Sequence, residues 1–246
     1  MWRLIALGVL AFAGFIVVTL PATLVTDRLG PAGIVTQGVQ GSVWSGGAAQ
    51  IQVSGTNLGQ LHWELHPLAL LTGKIAADIA LHGAGDALSG TVTAGFGGQL
   101  SITNLRGNVP LALFPRSALP GGWTGQLNVD LSHLQLIRGW PVAALGALRV
   151  NNLTGPTQQP RKLGDFRVSF DDAAGVSAPA LVGKLESLAG PLDATGTLKL
   201  NRDRSYVVDG QVAARPDAPP EVINALQYLG APQTNGKHPF SVAGTM

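Results

Sequence analysis

The stretch "WTGQLNVDLS", Trp123 to Ser132, alternates without a break. Trp123, Gly125, Leu127, Val129 and Leu131 share one side of an extended chain, and Thr124, Gln126, Asn128, Asp130 and Ser132 the other. A period of two over this length is a strand with one apolar and one polar face, as antiparallel sheets allow. The same period recurs from about Val39 onward. In "AQIQVS", Ala49, Ile51 and Val53 alternate with Gln50, Gln52 and Ser54. "KIAADIAL" sets Ile75, Ala77, Ile79 and Leu81 on one face, and "DFRVSFD" does so with Phe166, Val168 and Phe170. "LDATGTLKL" and "YVVDGQVA" repeat it near the end. About a dozen such segments follow one another at a spacing of roughly 8–12 residues, which predicts a mainly β protein. The expected fold is a mostly antiparallel, curved or sandwich-like β-domain.

A weak repeat, apolar-x-Gly-x-apolar, runs through these strands at Gly41, Gly90, Gly125, Gly196 and Gly210. Glycine weakens a strand interior, so its recurrence points to curvature, a bulge or close approach of backbones. The turn-like "FPRSALPGG", Phe114 to Gly122, divides the domain into two possible lobes, 38–115 and 121–246. "GFGGQ" (Gly95 to Gln99) and "NRDRSY" (Asn201 to Tyr206) read as hairpin connections. One short helix is expected in "DAPPEVINALQYLGAP". Asp217 precedes it, Pro219 and Pro220 open it, and Val222, Ile223, Leu226 and Leu229 form its apolar face. Gly230 caps it and Pro232 stops it. "PLALLTG", Pro67 to Gly73, reads as a helical turn between strands.

Of the 246 residues only 12% are charged, about half the usual share of roughly 25%. The formal net charge is +2 and no basic block stands out, so nucleic-acid binding has no electrostatic footprint. The absence of cysteine excludes disulfides, thiolate metal sites and a cysteine nucleophile. After Met1-Trp2-Arg3, the run Leu4 to Val25 carries no charge. As a helix of about 22 residues it would span roughly 33 Å, enough for a hydrocarbon core of ~30 Å. It is expected to be a single transmembrane anchor over 4–25, with a cytoplasmic stub at 1–3, a linker at 26–37 and the β-domain from 38 to 246 outside the cytoplasm. A cleaved signal peptide is the competing reading, through Ala11-Phe12-Ala13. Trp2 suits the membrane interface.

The candidate chemistry is "LHWELHP", Leu61 to Pro67. On a strand, His62, Glu64 and His66 share a face, and two imidazoles with a carboxylate can hold zinc. The opposite face, Leu61, Trp63 and Leu65, matches the core-facing side of the other strands, so the polar three read as an ordinary wet face. His82 would neighbour them only if the two strands form a hairpin, and His133 and His238 lie in no ligand-like cluster. There is no nucleophile elbow, phosphate loop or dinucleotide fingerprint. No catalytic residue, cofactor or metal is therefore assigned.

An uncharged run followed by Gly41-Ser-Val-Trp44-Ser-Gly46, then Trp63-x-Leu65-x-Pro67 running through Leu70-Leu71 to Gly73, resembles protein N of the bacterial type II (general) secretion pathway. The C-terminal Gly230, Pro232, Gly236 and Phe240 fit the same pattern. The resemblance implies a single-pass inner-membrane protein of a Gram-negative bacterium with a periplasmic β-domain and no catalysis. It implies contact with the inner-membrane platform, with the outer-membrane secretin and with membrane lipid. Its motif residues read as structural, so no binding site carries over. A second expectation of another class is a lipid-binding or lipid-conducting groove, in which the apolar faces bind acyl chains instead of meeting in a core. A third is a metal-dependent enzyme using His62 and His66.

Overall fold

The computed structural model of the chain describes residues 20–23, 34–53, 56–83, 87–114, 122–155, 162–171 and 178–245. Most of the expected anchor and linker lies outside them. Among the described residues no helix is long and apolar enough to cross a membrane.

Thirteen strands among the described residues form one antiparallel sheet whose strand order is the order of the sequence. The expected antiparallel β-domain is thus built as one hydrogen-bonded sheet. Alternation alone could not give the number of sheets, because one sheet or two give their strands the same dry and wet sides. The chain divides into two compact units, residues 1–93 and 94–246. The stretch Phe114 to Gly122, expected to separate the lobes, lies inside the second unit.

The first unit contains β1 (Ile34–Gly41), β2 (Ser45–Val53), β3 (Thr56–Leu65), β4 (Ile75–His82) and all but the last residue of β5 (Ala87–Ala94). Between β3 and β4 stands a 3-10 helix, Pro67–Thr72, closed by Gly73 at φ 72° as the sequence predicts. Ala48, Ile51 and Ala76 are buried. Ile75, expected on the apolar face, is exposed because it begins its strand. The chain joins this unit before β1. Ala22 N–H donates to Gly41 O (3.3 Å), and Val43 N–H donates to Leu20 O (2.9 Å). Pro21 bridges Ser42, and Ala22 is 1% exposed. Leu20 to Ala22, the far end of the uncharged run, thus belong to the β1–β2 corner.

The second unit contains β6 (Gln99–Pro110), β7 (Thr124–Ile137), β8 (Trp140–Thr154), β9 (Lys162–Phe170), β10 (Ala180–Ala189), β11 (Leu192–Asn201), β12 (Ser205–Ala214) and β13 (His238–Thr245). The stretch that opened the reading behaves as expected: Val129 and Leu131 are buried, whereas Thr124, Gln126, Asp130 and Ser132 are exposed. Beyond Leu131 the apolar positions of β7 change phase to Leu134 and Leu136. The structure places a bulge there. Leu131 pairs with Gly146 but His133 with Leu145, and Ser132 Oγ donates to Leu145 O (3.2 Å). On the other side, β6 changes phase at Asn104, whose φ is 53°. A second row of register breaks crosses β7 at Gly125, β8 between Val150 and Leu153, and β10 after Ser187. A further break lies between Gln135 and Leu136 of β7. Because bulges bend strands and add twist, these breaks are where the sheet of this unit curves.

The glycine repeat therefore has two causes. Gly125 occupies a bulge, while Gly196 and Gly210 face each other across β11 and β12, with the Phe240 ring against Gly210. Helix α1 (Pro220–Gln227) is only about two turns long. It buries Val222 and Leu226, and Leu226 joins Ala194 and Val212 in a cluster flanked by Phe166, Leu192, Ala214 and Phe240. Ile223 and Leu229, expected on the same face, are exposed, because so short a helix covers the sheet with one residue per turn.

Candidate functional site

The motif residues of the first unit gather at one end of its sheet. β1 ends at Gly41 (φ 89°), β2 returns from Ser45, and Ser45 pairs with Glu64 near the end of β3. Gly46 and Trp63 face each other across β2 and β3. Trp63 Nε1–H donates to Val43 O (3.1 Å), and Leu65 N–H donates to Trp44 O (2.6 Å). His66 N–H donates to Ala76 O (2.8 Å) and so fixes where Pro67 starts its helical turn. Gly41, Trp44, Gly46, Trp63, Leu65, Pro67 and Gly73 thus build one corner, into which Leu20 to Ala22 also bond. At the other end of the sequence, Gly230 (φ 96°) accepts a hydrogen bond from His238 Nδ1–H (2.7 Å), and Gly236 N–H donates to Gln233 O (2.9 Å). Gln211 of β12 bonds both Gln233 and Asn235, tying the loop around Pro232 and Gly236 to the sheet.

The three residues considered for zinc are all exposed, as a wet face requires. His62 and Glu64 stand on one side of β3, opposite Ala80 and Asp78 of β4. His66 turns to Asp78 instead, with Nε2 2.8 Å from Oδ2. The other Asp78 oxygen accepts from Thr91 Oγ1 of β5 (2.6 Å). The hydrogen bond from Thr91, and next that from His66, hold the Asp78 carboxyl below its ordinary pKa. β3 and β4 do form a hairpin, with His82 opposite Gln60, and His62 and His82 border one open cleft of about 320 Å³. Among the described residues no three His, Asp or Glu side chains converge as metal ligands. Asp78 and Thr91 went unread in the sequence, because only the register of three strands brings them to His66.

A second feature, also unread, lies in the other unit. The β7–β8 turn, Arg138-Gly139, and the β11–β12 turn, Arg202 to Arg204, meet at one end. Arg204 donates to Arg138 O (3.1 Å), and Arg202 Nε donates to Ala178 O (2.9 Å). Arg138, Arg202 and Arg204 line a cleft of about 350 Å³ with Gly97, Ile137, Trp140 and Val142. Trp140 is 9% exposed, and its buried indole N–H has no partner among the described residues. Asp203, between two of the arginines, is turned to Ser205: the Ser205 hydroxyl, then its backbone N–H, lower the Asp203 pKa. In the sequence Arg202 to Arg204 read only as part of a hairpin connection, and Arg138 was not singled out. Their meeting depends on the curl of β7 to β12.

Residues 32–241 match the family described as Type II secretion system (T2SS), protein N. The chain is 29% identical over 250 residues to the Type II secretion system protein N of Aeromonas hydrophila, covering 97% of this chain and 96% of the relative. It is 26% identical over 243 residues to the protein of the same name from Vibrio cholerae serotype O1, covering 94% and 93%. No solved structure matches it. With the family match spanning both units, the chain belongs to the type II secretion system protein N family.

Proposed function

We propose that this protein is a non-catalytic inner-membrane component of the type II secretion pathway. In this reading an uncharged segment within residues 4–25 anchors it, residues 1–3 remain in the cytoplasm, and the sheet stands in the periplasm as a scaffold. Its partners would be proteins of the inner-membrane platform and the outer-membrane secretin, which together export folded proteins. The observation that carries the reading is the family match, which runs across a sheet ending in two outermost strands. Among the described residues β1 and β13 are the outermost strands, paired with β2 and β12. Apart from Gly41 O at the end of β1, which Ala22 N–H reaches, each thus offers one row of backbone groups to an added strand. Val35 of β1 and Val242 of β13 are exposed large apolar side chains on those strands. Photo-crosslinking residues at positions 35 and 242, introduced in secreting cells, test it. Adducts with platform proteins or the secretin support the scaffold, and adducts confined to other positions contradict docking at the edges.

The arginine cleft favours a second reading. β7 and β8 carry half-buried Leu127, Leu134, Leu136 and Leu148, and the cationic cleft sits at one end of these strands. An apolar face with guanidinium groups at its end suits an anionic lipid. Co-purified phospholipid in stoichiometric amount, lost in an Arg138→Ala/Arg202→Ala variant, would favour a lipid-binding sheet over a scaffold.

A further inference from the structure

We infer that the 3-10 turn Pro67–Thr72 is a membrane wedge: Leu68 and Leu71 dip into the bilayer surface beside the point where the anchoring segment enters the sheet. The inference rests on the proposed anchor and adds a second, non-covalent membrane contact to it.

In a 3-10 helix, side chains three apart lie one above the other. Leu68 and Leu71 therefore share a side, and they are 77% and 84% exposed. Leu70 and Ile75 extend the exposed apolar surface, and exposed Lys74 stands between Gly73 and Ile75. The turn is held in place at both ends. His66 N–H bonds Ala76 O, Thr72 Oγ1 donates to Ala69 O (2.7 Å), and Gly73 N–H donates to Leu70 O (3.0 Å). Three large aliphatic groups on a fixed, solvent-facing turn, with Ile75 at the start of β4 beside them, are costly in water, and they need an apolar surface to meet.

The topology says which surface. β1 ends, β2 begins, β3 ends and β4 begins at the same end of the first unit, as the pairs Gly41–Gly46, Ser45–Glu64 and Leu65–Ala77 require. Leu20 to Ala22 bond to the β1–β2 turn at that end. The wedge, one to two strands away, is thus within about 5–10 Å of where the uncharged run meets the sheet. The length of that run leaves little slack. A helix over residues 4–20 would be about 25 Å long, against a hydrocarbon core of ~30 Å. An anchor so short brings Leu20, and with it the whole end of the sheet, to the level of the headgroups. Trp44 and Trp63 of the same corner are residues that favour that level, and Lys74 would meet anionic headgroups.

The chain contains no cysteine, so one introduced thiol takes a unique label. Leu68→Cys and Leu71→Cys, and Val35→Cys at the opposite end of β1, are coupled to a polarity-sensitive fluorophore in the full chain. Each protein is reconstituted alone into vesicles of phosphatidylethanolamine and phosphatidylglycerol. The expected result is a blue-shifted emission at 68 and 71, quenched by a nitroxide placed high on the acyl chain, and a water-like, unquenched emission at 35. Protein that floats with the vesicles while 68 and 71 report water overturns the wedge and leaves the anchor standing. Protein that fails to float overturns both. A label that becomes shielded only after other secretion proteins are added also overturns it, and assigns the turn to a protein contact.

Discussion

The indole of Trp63 occupies the space that a side chain at Gly46 would need. The two residues face each other across β2 and β3, and a Cβ on Gly46 would lie 2.6 Å from Trp63 Cζ2. The same relation joins Phe240 to Gly210 and Tyr206 to Gly244, each an aromatic ring over the glycine paired with it. In each case the ring covers the backbone of the neighbouring strand.

Gly46→Ala should therefore destabilise the first unit. The new methyl would also meet Gln40 O at 2.8 Å and Ser42 O at 2.9 Å, and backbone cannot swing aside as a side chain can. The expected loss is about 1–3 kcal/mol, read as a lower thermal midpoint by tryptophan fluorescence. Adding Trp63→Leu should cost less in the Gly46→Ala background than in the wild type, since there it also relieves the clash between the new methyl and the ring.

Asn104 should accept glycine and reject valine. Its φ of 53° lies in the left-handed region, which asparagine and glycine tolerate and β-branched residues do not. Asn104→Val is expected to lose about 1–2 kcal/mol by denaturant titration. Asn104→Gly should stay close to the wild type.

The bond network around Asp78 should give the first unit an acid-sensitive increment of stability. The Asp78 pKa is lowered from its ordinary 3.8, so the increment is present above that value and fades as pH falls through the lowered one. The side chain is about half exposed, which limits the effect to within about 1 kcal/mol at neutral pH. The stability difference between the wild type and Asp78→Ala should be measurable at pH 7 and shrink below pH 3.8.

Replacing His62, Glu64 and His66 together by alanine should leave the metal content of the purified protein unchanged. His66 is engaged with Asp78, and no three ligand side chains converge among the described residues. Elemental analysis before and after substitution checks this. Stoichiometric zinc in the wild type, lost in the variant, would restore the metal site.

Much of the sheet was legible because burial has a period. Val129 and Leu131 inside, with Asp130 and Ser132 outside, follow from alternation alone. So did the turn at Pro67–Thr72 and the helix at Pro220–Gln227, each marked by proline at its start. The β7 bulge was legible too, had the phase been followed, since Leu131 gives way to Leu134 across Ser132. So was the phase change of β6, from Leu100 and Ile102 to Leu105 and Val109 across Asn104. What alternation does not encode is which strand lies beside which. The bond from His66 to Asp78 and the meeting of Arg138 with Arg204 depend on register and curvature, to which a residue's own neighbours in the chain give no guide. The exposure of Leu68 and Leu71 was hidden for a related reason. A turn between strands carries no period from which its burial can be read, and the structure leaves both side chains exposed.

Within each unit, every strand pairs only with the strand just before it and the strand just after it. Such a sheet never has to hold one strand waiting for a distant part of the chain. The entropy lost on closing each hairpin loop is small and is repaid at once by the ladder it closes. A chain that emerges from its N-terminus, whether from a ribosome or through a membrane pore, can thus lay down β1 against β2 while β13 is still being delivered. Each strand added replaces the previous open edge with its own, so besides the outer edge of β1 only one growing edge at a time is exposed to unwanted pairing.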